Sequence, residues 1–183
     1  MANEDSVEVP KDLVRITEYG ESITDFMCGS DPLDEFIHEQ ALEFSKRHLG
    51  ETWLLCNEDD VVAFYTLAPA SVPNSEYSGD ETPEFGKLDD IAYPIPTLLI
   101  ARFGIAEEYQ GRGIGSELID YIIVWAEQQE LPFWFVQVDS KEESVDFYKN
   151  LNFVTSGEEV DESGITSMYY PLAPRVGERL ADR

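Results

Sequence analysis

The sequence predicts an α/β fold, on three observations. Hydrophobic residues make up 43% and aromatic residues 12% of the 183-residue chain, enough for a substantial core. Short apolar runs of strand length alternate with segments whose apolar residues recur at helical spacing. One stretch, residues 98–119, joins the two kinds of element directly: an apolar strand turns through a glycine-rich loop into an amphipathic helix. At this length the chain is expected to be one domain over 1–183, with an acidic insertion at about 69–94 and a polar tail at about 171–183.

A first strand is expected over 7–18, with Leu13, Val14 and Ile16 in its apolar part. Ser30 or Asp31 then reads as an N-cap, with Pro32 in the first helical turn. Leu33, Phe36, Ile37, Gln40, Ala41 and Phe44 follow at helical spacing, so a helix is expected to about Lys46. Lys46, Arg47 and His48 place positive charge at its end, and Gly50 stops it. Residues 52–56 and 61–67 read as a hairpin around a polar turn at 57–60. Residues 69–94 are rich in Pro, Ser, Gly, Asp and Glu and lack periodicity, which marks the insertion.

After the strand at 98–105, the helix carries Ile114, Leu118, Ile119, Ile122, Ile123 and Ala126 on one side. Residues 133–138 form another strand. Asp139 and Ser140 are expected to cap a short helix over 141–150, with Val145, Tyr148 and Leu151 on one side. Residues 151–153 lead into a short strand, and 166–170 form the last one.

The turn at 110–115 is suited to an anion. The first N–H groups of a helix have no partner within it, and the macrodipole adds about half a positive charge there. Glycines let a backbone approach a phosphate closely. It is not a Walker loop, because Gly115 is followed by Ser116 and Glu117 rather than Lys and Ser/Thr. It is not a dinucleotide fingerprint either, because Gly111, Gly113 and Gly115 misspace the third glycine.

Asp and Glu number 38 against 12 Lys and Arg, a net charge of −26, and the acids are scattered through the whole chain. Such a surface can bind metals or basic partners, can mark disorder, or can adapt a protein to molar salt. A core of this size argues against disorder. At about 1 M salt the Debye length is only ~3 Å, which screens the self-repulsion. We read the charge as halophilic adaptation. Residues 1–10 lack the apolar core of a signal peptide, and no apolar run approaches the ~20 residues of a membrane span. Cys28 and Cys56 read as unpaired thiols, and with His38 and His48 they complete no metal cage, so no metal site and no membrane partner are expected. The expected location is cytoplasmic.

Gln110, Gly113 and Gly115 match every fixed position of the loop motif Gln/Arg-x-x-Gly-x-Gly/Ala, and that loop resembles the acetyl-CoA loop of the GNAT N-acetyltransferases. Ser144, Phe147, Tyr148, Asn152 and Phe153 resemble that family's second signature, Ala-x-x-Phe-Tyr-x-x-x-Gly-Phe. Ser144 replaces its alanine, and Asn152 its glycine; asparagine tolerates the left-handed region such a turn needs. Phe26, Cys28 and Gly29, then Leu33, Asp34 and Phe36, then Ala63, Tyr65, Thr66 and Leu67, resemble the GNAT toxins that acetylate the amino acid of aminoacyl-tRNA. The similarity covers about residues 26–153, and capping and core packing explain the Cys–Gly and Leu–Asp pieces nearly as well.

The resemblance implies the GNAT fold, a central mixed, mostly antiparallel sheet flanked by helices, with acetyl-CoA as co-substrate. It implies that backbone around Phe103, Gly104 and Ile105 holds the pantetheine and polarises the thioester carbonyl. Gln110, Gly111, Arg112, Gly113, Ile114, Gly115 and Ser116 would hold the pyrophosphate, and Ser144 joins the cofactor-binding set. Tyr148 would give a proton to the departing sulfur: a phenol of pKa ~10 keeps its proton at neutral pH. No strong base stands out; Glu107 and Glu108 beside the loop are the candidates. Deprotonating a lysine at pH 7 costs about 4.6 kcal/mol and an α-amine only about 1–1.4. That favours an α-amine of a small molecule, a peptide or an aminoacyl ester. Aminoacyl-tRNA and an antitoxin partner belong to the toxin-type alternative, and a homodimer is a candidate assembly for either reading. The other alternative is a GNAT-fold module that binds acyl-CoA or a partner without turnover.

Overall fold

The computed structural model describes residues 13–20, 22–57, 60–73, 93–155 and 164–172. The first part of the expected strand at 7–18, the tip of the hairpin, most of the acidic insertion and the tail from 173 lie outside these residues. Seven strands follow the order β1-β2-β3-β4-β5-β7-β6. The chain divides into two compact units: one contains residues up to Ala70 together with Leu98–Trp125, the other Ser71–Thr97 and the residues from Ala126 on.

In the first unit, β1 (Leu13–Arg15) pairs antiparallel with β2 (Glu51–Asn57), and β2 with β3 (Asp60–Val72). The first strand is shorter than expected. Ile16–Tyr19 is a helical turn, α1, because Ile16 packs into the core instead of continuing the ladder and Gly20 closes the turn in the left-handed region. The expected helix at 31–46 forms in three parts: α2 (Asp31–Glu35), a π-helical segment (Phe36–Gln40) and α3 (Ala41–Lys46). Ser30 is its N-cap, through its backbone carbonyl and without a side-chain capping bond. The wide turn places Phe36 and Ile37 in one core with Ile16, Phe26, Leu54 and Phe64. Ser45 accepts the Thr52 N–H, which fastens α3 to β2.

β3 runs on to Val72, past the expected end at Leu67 and into the start of the expected insertion. After the continuously buried run 62–68 it alternates, with Ala68 and Val72 buried and Pro69 and Ser71 exposed. β4 likewise begins at Ile95 and ends at Ile105. The glycine turn then opens α4 (Ile114–Gln128), which buries Leu118, Ile119, Ile122, Ile123 and Ala126 as its spacing predicted.

In the second unit, β5 (Phe135–Lys141) pairs antiparallel with β7 (Ile165–Pro171), and β7 with β6 (Val154–Thr155). Asp139 and Ser140 are therefore strand, not a helix cap: Ser140 pairs with Thr166, a contact no local pattern encodes. A 3-10 turn, Glu142–Ser144, leads into α5 (Val145–Asn150). Pro171 belongs to β7 and Leu172 is buried, so the expected tail starts later. Val72, Ile95, Phe135 and Tyr169 form this unit's core. No helix among the described residues is long and apolar enough to cross a membrane.

Candidate active site

Phe103, Gly104 and Ile105 end β4, and a hydrogen bond from Ala106 N–H to the Val62 carbonyl (2.9 Å) ties that end to β3. Glycine at 104 has a specific cause. A Cβ there would sit 2.7 Å from Phe64 Cε1 and 3.5 Å from the Cys28 Sγ, so the core already fills its place. The cofactor is not needed to explain it.

Beyond β4, residues Glu107–Tyr109 form a 3-10 turn. The Gln110 carboxamide donates to two carbonyls, Cys28 O (2.9 Å) and Ile105 O (3.0 Å). Its side chain thus holds the loop to the protein. Gly111 (φ +71°) and Gly113 (φ +88°) both lie in the left-handed region. A Cβ at either would meet nothing within 4 Å, so the backbone here borders an open cradle. Arg112 stacks 5.2 Å from the Tyr109 ring centroid and donates to the Glu108 carbonyl, which keeps its charge beside the cradle. Ile114, Gly115 and Ser116 form the first turn of the 15-residue α4, whose leading N–H groups have no partner within the helix. A pyrophosphate fits such donors and such space.

Residues 26–29, which carry part of the resemblance to the toxin branch and which capping and core packing explain nearly as well, are bound tightly to this region. The Phe26 carbonyl lies 2.8 Å from His38 Nε2, the Met27 carbonyl accepts Glu107 N–H (2.9 Å), and the Cys28 carbonyl accepts Gln110. The Cys28 N–H donates to Asp34 Oδ1 at 2.8 Å, and Asp34 is buried. Burial, then the neighbouring Asp34, pushes the Cys28 thiol up to about 11, so it stays protonated and unreactive at neutral pH. Both cysteines are free thiols. The sequence held one signal for this arrangement, the Cys28–Asp34 pair, and gave no hint of the ties to Glu107 and Gln110.

Ser144 and Tyr148 belong to the second unit. Ser144 is half-buried at the N-cap of α5 and makes no capping bond. Tyr148, one turn later, is buried against Phe147 (ring centroids 5.0 Å) and Phe153 (5.5 Å). Desolvation pushes its hydroxyl up to about 12. Asn152 adopts φ +65°, the conformation expected where the signature has glycine, and Phe153 N–H returns to the Tyr148 carbonyl (3.1 Å).

Residues 18–153 match the acetyltransferase (GNAT) family. The chain belongs to that family. The GNAT fold, a mixed and mostly antiparallel sheet flanked by helices, is the architecture described above. A tRNA-acetylating toxin of Mycobacterium tuberculosis is 28% identical over 99 residues, 54% of this chain and 56% of that protein. The chain thus matches just over half the length of that curated relative. Among solved structures, a tyrosine-to-phenylalanine variant of KacT superposes with a TM-score of 0.72 at 22% identity, covering 88% of this chain and 96% of that one. AtaT complexed with acetyl-methionyl-tRNAfMet gives 0.67 at 23%, covering 87% and 95%. AtaTR bound with AcCoA gives 0.68 at 22%, covering 88% and 94%. These structures share the fold.

Proposed function

We propose that the protein is an acetyl-CoA-dependent N-acetyltransferase that acetylates the α-amine of aminoacyl-tRNA, in the manner of a toxin with a cognate antitoxin. The observation that carries the reading is the cradle: two left-handed glycines opening the N-terminus of α4 directly after β4, within the family match. The tRNA-acetylating relative supports the acceptor.

In this mechanism the amides of residues 112–116 hold the pyrophosphate, and backbone at 103–105 binds the pantetheine and polarises the thioester carbonyl. The amine adds to that carbonyl, and the sulfur leaves with the Tyr148 proton. Burial keeps the Tyr148 hydroxyl protonated at neutral pH, so a donor is present, and the same burial makes it give up that proton less readily than a free phenol. The net charge of −26 opposes RNA binding in dilute buffer. In molar salt counterion release contributes little, and RNA is held by stacking and direct hydrogen bonds.

The test is incubation with acetyl-CoA and a pool of aminoacyl-tRNA, followed by mass spectrometry of the released amino acids. N-acetylated amino acids, together with growth arrest on expression that Tyr148→Phe relieves, are the expected result. An active enzyme that acetylates other amines but leaves aminoacyl-tRNA untouched would remove the tRNA reading.

A further inference from the structure

With 38 acids in the chain, a carboxylate is the most abundant partner an arginine can find. Arg47 takes one, Glu43, at 2.8 Å. Arg102 and Arg112 do not: neither makes an ion pair with a described residue. Both are exposed, and both are held in the same way. The Arg102 guanidinium lies 5.1 Å from the Phe36 ring centroid and donates to the Ala101 carbonyl at 2.6 Å. That of Arg112 lies 5.2 Å from the Tyr109 centroid and donates to the Glu108 carbonyl at 2.6 Å. A ring and a carbonyl orient a guanidinium without neutralising it, and the rest of its N–H fork is left to an anion. Arg112 borders the cradle already given to a pyrophosphate. Arg102 has as yet no anion.

Its place follows from β4. Side chains two residues apart on a strand share a face, so Arg102 shares one with Gly104. The contacts agree: the guanidinium lies over Phe36, a Cβ at 104 would meet Phe64 at 2.7 Å, and Phe36 stacks on Phe64 with centroids 6.3 Å apart. Two residues of strand span about 6–7 Å, within the reach of an arginine side chain. The guanidinium therefore stands beside the backbone at 103–105 to which the mechanism gives the thioester. The order along the chain is Arg102, then 103–105, then the cradle at 112–116. Pantetheine separates pyrophosphate from thioester in the cofactor, so the acyl end points away from the cradle and toward Arg102. The donor's phosphates lie past one end of the thioester site, and Arg102 lies at the other, the end left to the acceptor.

An aminoacyl-tRNA brings an anion to that end. Its terminal phosphodiester is one ribose away from the ester that bears the α-amine. We propose that Arg102 receives this phosphate and so selects an aminoacyl nucleotide over a free amino acid or a peptide amine. This rests on the α-amine acetylation proposed above. It gives the RNA one fixed cation on a chain whose net charge is −26. A direct, oriented contact of this kind also holds in molar salt, where counterion release contributes little.

The test compares two acceptors with acetyl-CoA at matched salt. Puromycin is an adenosine analogue that carries an α-aminoacyl group on its ribose through an amide, and puromycin 5′-phosphate adds the anion. The wild-type chain should favour the phosphate by about 10- to 100-fold in kcat/KM, the scale of a charged hydrogen bond. Arg102→Gln should bring that ratio to within about threefold of unity, with acetyl-CoA affinity by calorimetry within about twofold of the parent. Arg102→Lys keeps a charge but loses the fork, so it should retain part of the ratio, and it serves if Arg102→Gln fails to fold. Where turnover of these acceptors is too slow to follow, their Ki values against aminoacyl-tRNA give the same ratio. An absent preference, a ratio that Arg102→Gln leaves unchanged, or a loss of acetyl-CoA affinity as large as the loss of preference each overturns the assignment while acetylation itself stands. A wild-type chain that acetylates no α-amine overturns both.

Discussion

Gly104→Ala tests whether the core, rather than the cofactor, dictates glycine at the end of β4. The new Cβ would lie 2.7 Å and 3.3 Å from two carbons of the Phe64 ring. Comfortable carbon contacts are about 3.5–4.0 Å, so the ring would have to retreat by about 1 Å. It has nowhere to go. Phe64 has no exposed surface, with Phe26 edge-on at 5.3 Å between ring centroids and Phe36 stacked at 6.3 Å. Overpacking of this kind costs about 1–3 kcal/mol. For a domain of this size that is a fall in Tm of about 2–12 °C. Thermal unfolding followed by circular dichroism at matched salt measures it. Phe64→Leu in the same background should recover part of the loss, because the two substitutions share one contact. A Gly104→Ala protein melting within about 1 °C of the parent would refute the steric argument.

Tyr148→Phe should lower kcat by about 10²–10⁴ with acetyl-CoA affinity unchanged, measured by steady-state kinetics and calorimetry. The Tyr148 hydroxyl is raised from 10 to about 12 in the folded chain, so its contribution to stability is complete below pH 10 and lost between about 10 and 12. Denaturant melts of parent and Tyr148→Phe should therefore diverge in that window, and parallel curves would count against a buried, protonated phenol. Gly113→Val should abolish acetyl-CoA binding by calorimetry while leaving the fold intact. It meets no neighbour, and the left-handed backbone adds a stability cost of about 1–2 kcal/mol. If the charge of −26 is an adaptation to salt, Tm should climb steeply from dilute buffer to molar KCl and then level off; a flat profile would mark the acidic surface as serving something else.

Periodicity made α4 legible, because Leu118, Ile119, Ile122, Ile123 and Ala126 sit in a 3.6-residue pattern that needs no tertiary context. The glycines at 111 and 113 have a related reason: left-handed backbone before a helix leaves few residue choices. Strand ends were harder. Pro69 and Pro96 are exposed positions inside β3 and β4, and prolines there read as breaks. Asp139 and Ser140 have cap chemistry, yet their pairing with Ser167 and Thr166 decides their conformation. The ties of residues 26–29 were invisible because their partners lie far along the chain, 82 residues away for Cys28 and Gln110.

The segment at 26–29 has neither helix nor strand, yet its three consecutive carbonyls are held by a helix side chain, a backbone amide after β4 and the loop glutamine. Such a segment cannot fray alone. Opening it means breaking contacts with two separate stretches together, so the turn at Glu107–Tyr109, which follows β4, and the π-helical segment are bound into one cooperative unit. Amide protons at Cys28, Ala106 and Glu107 should then exchange through a shared opening, at one rate limit. Any molecule that settles against this wall meets backbone already in place, and it loses little of its binding free energy to ordering the chain.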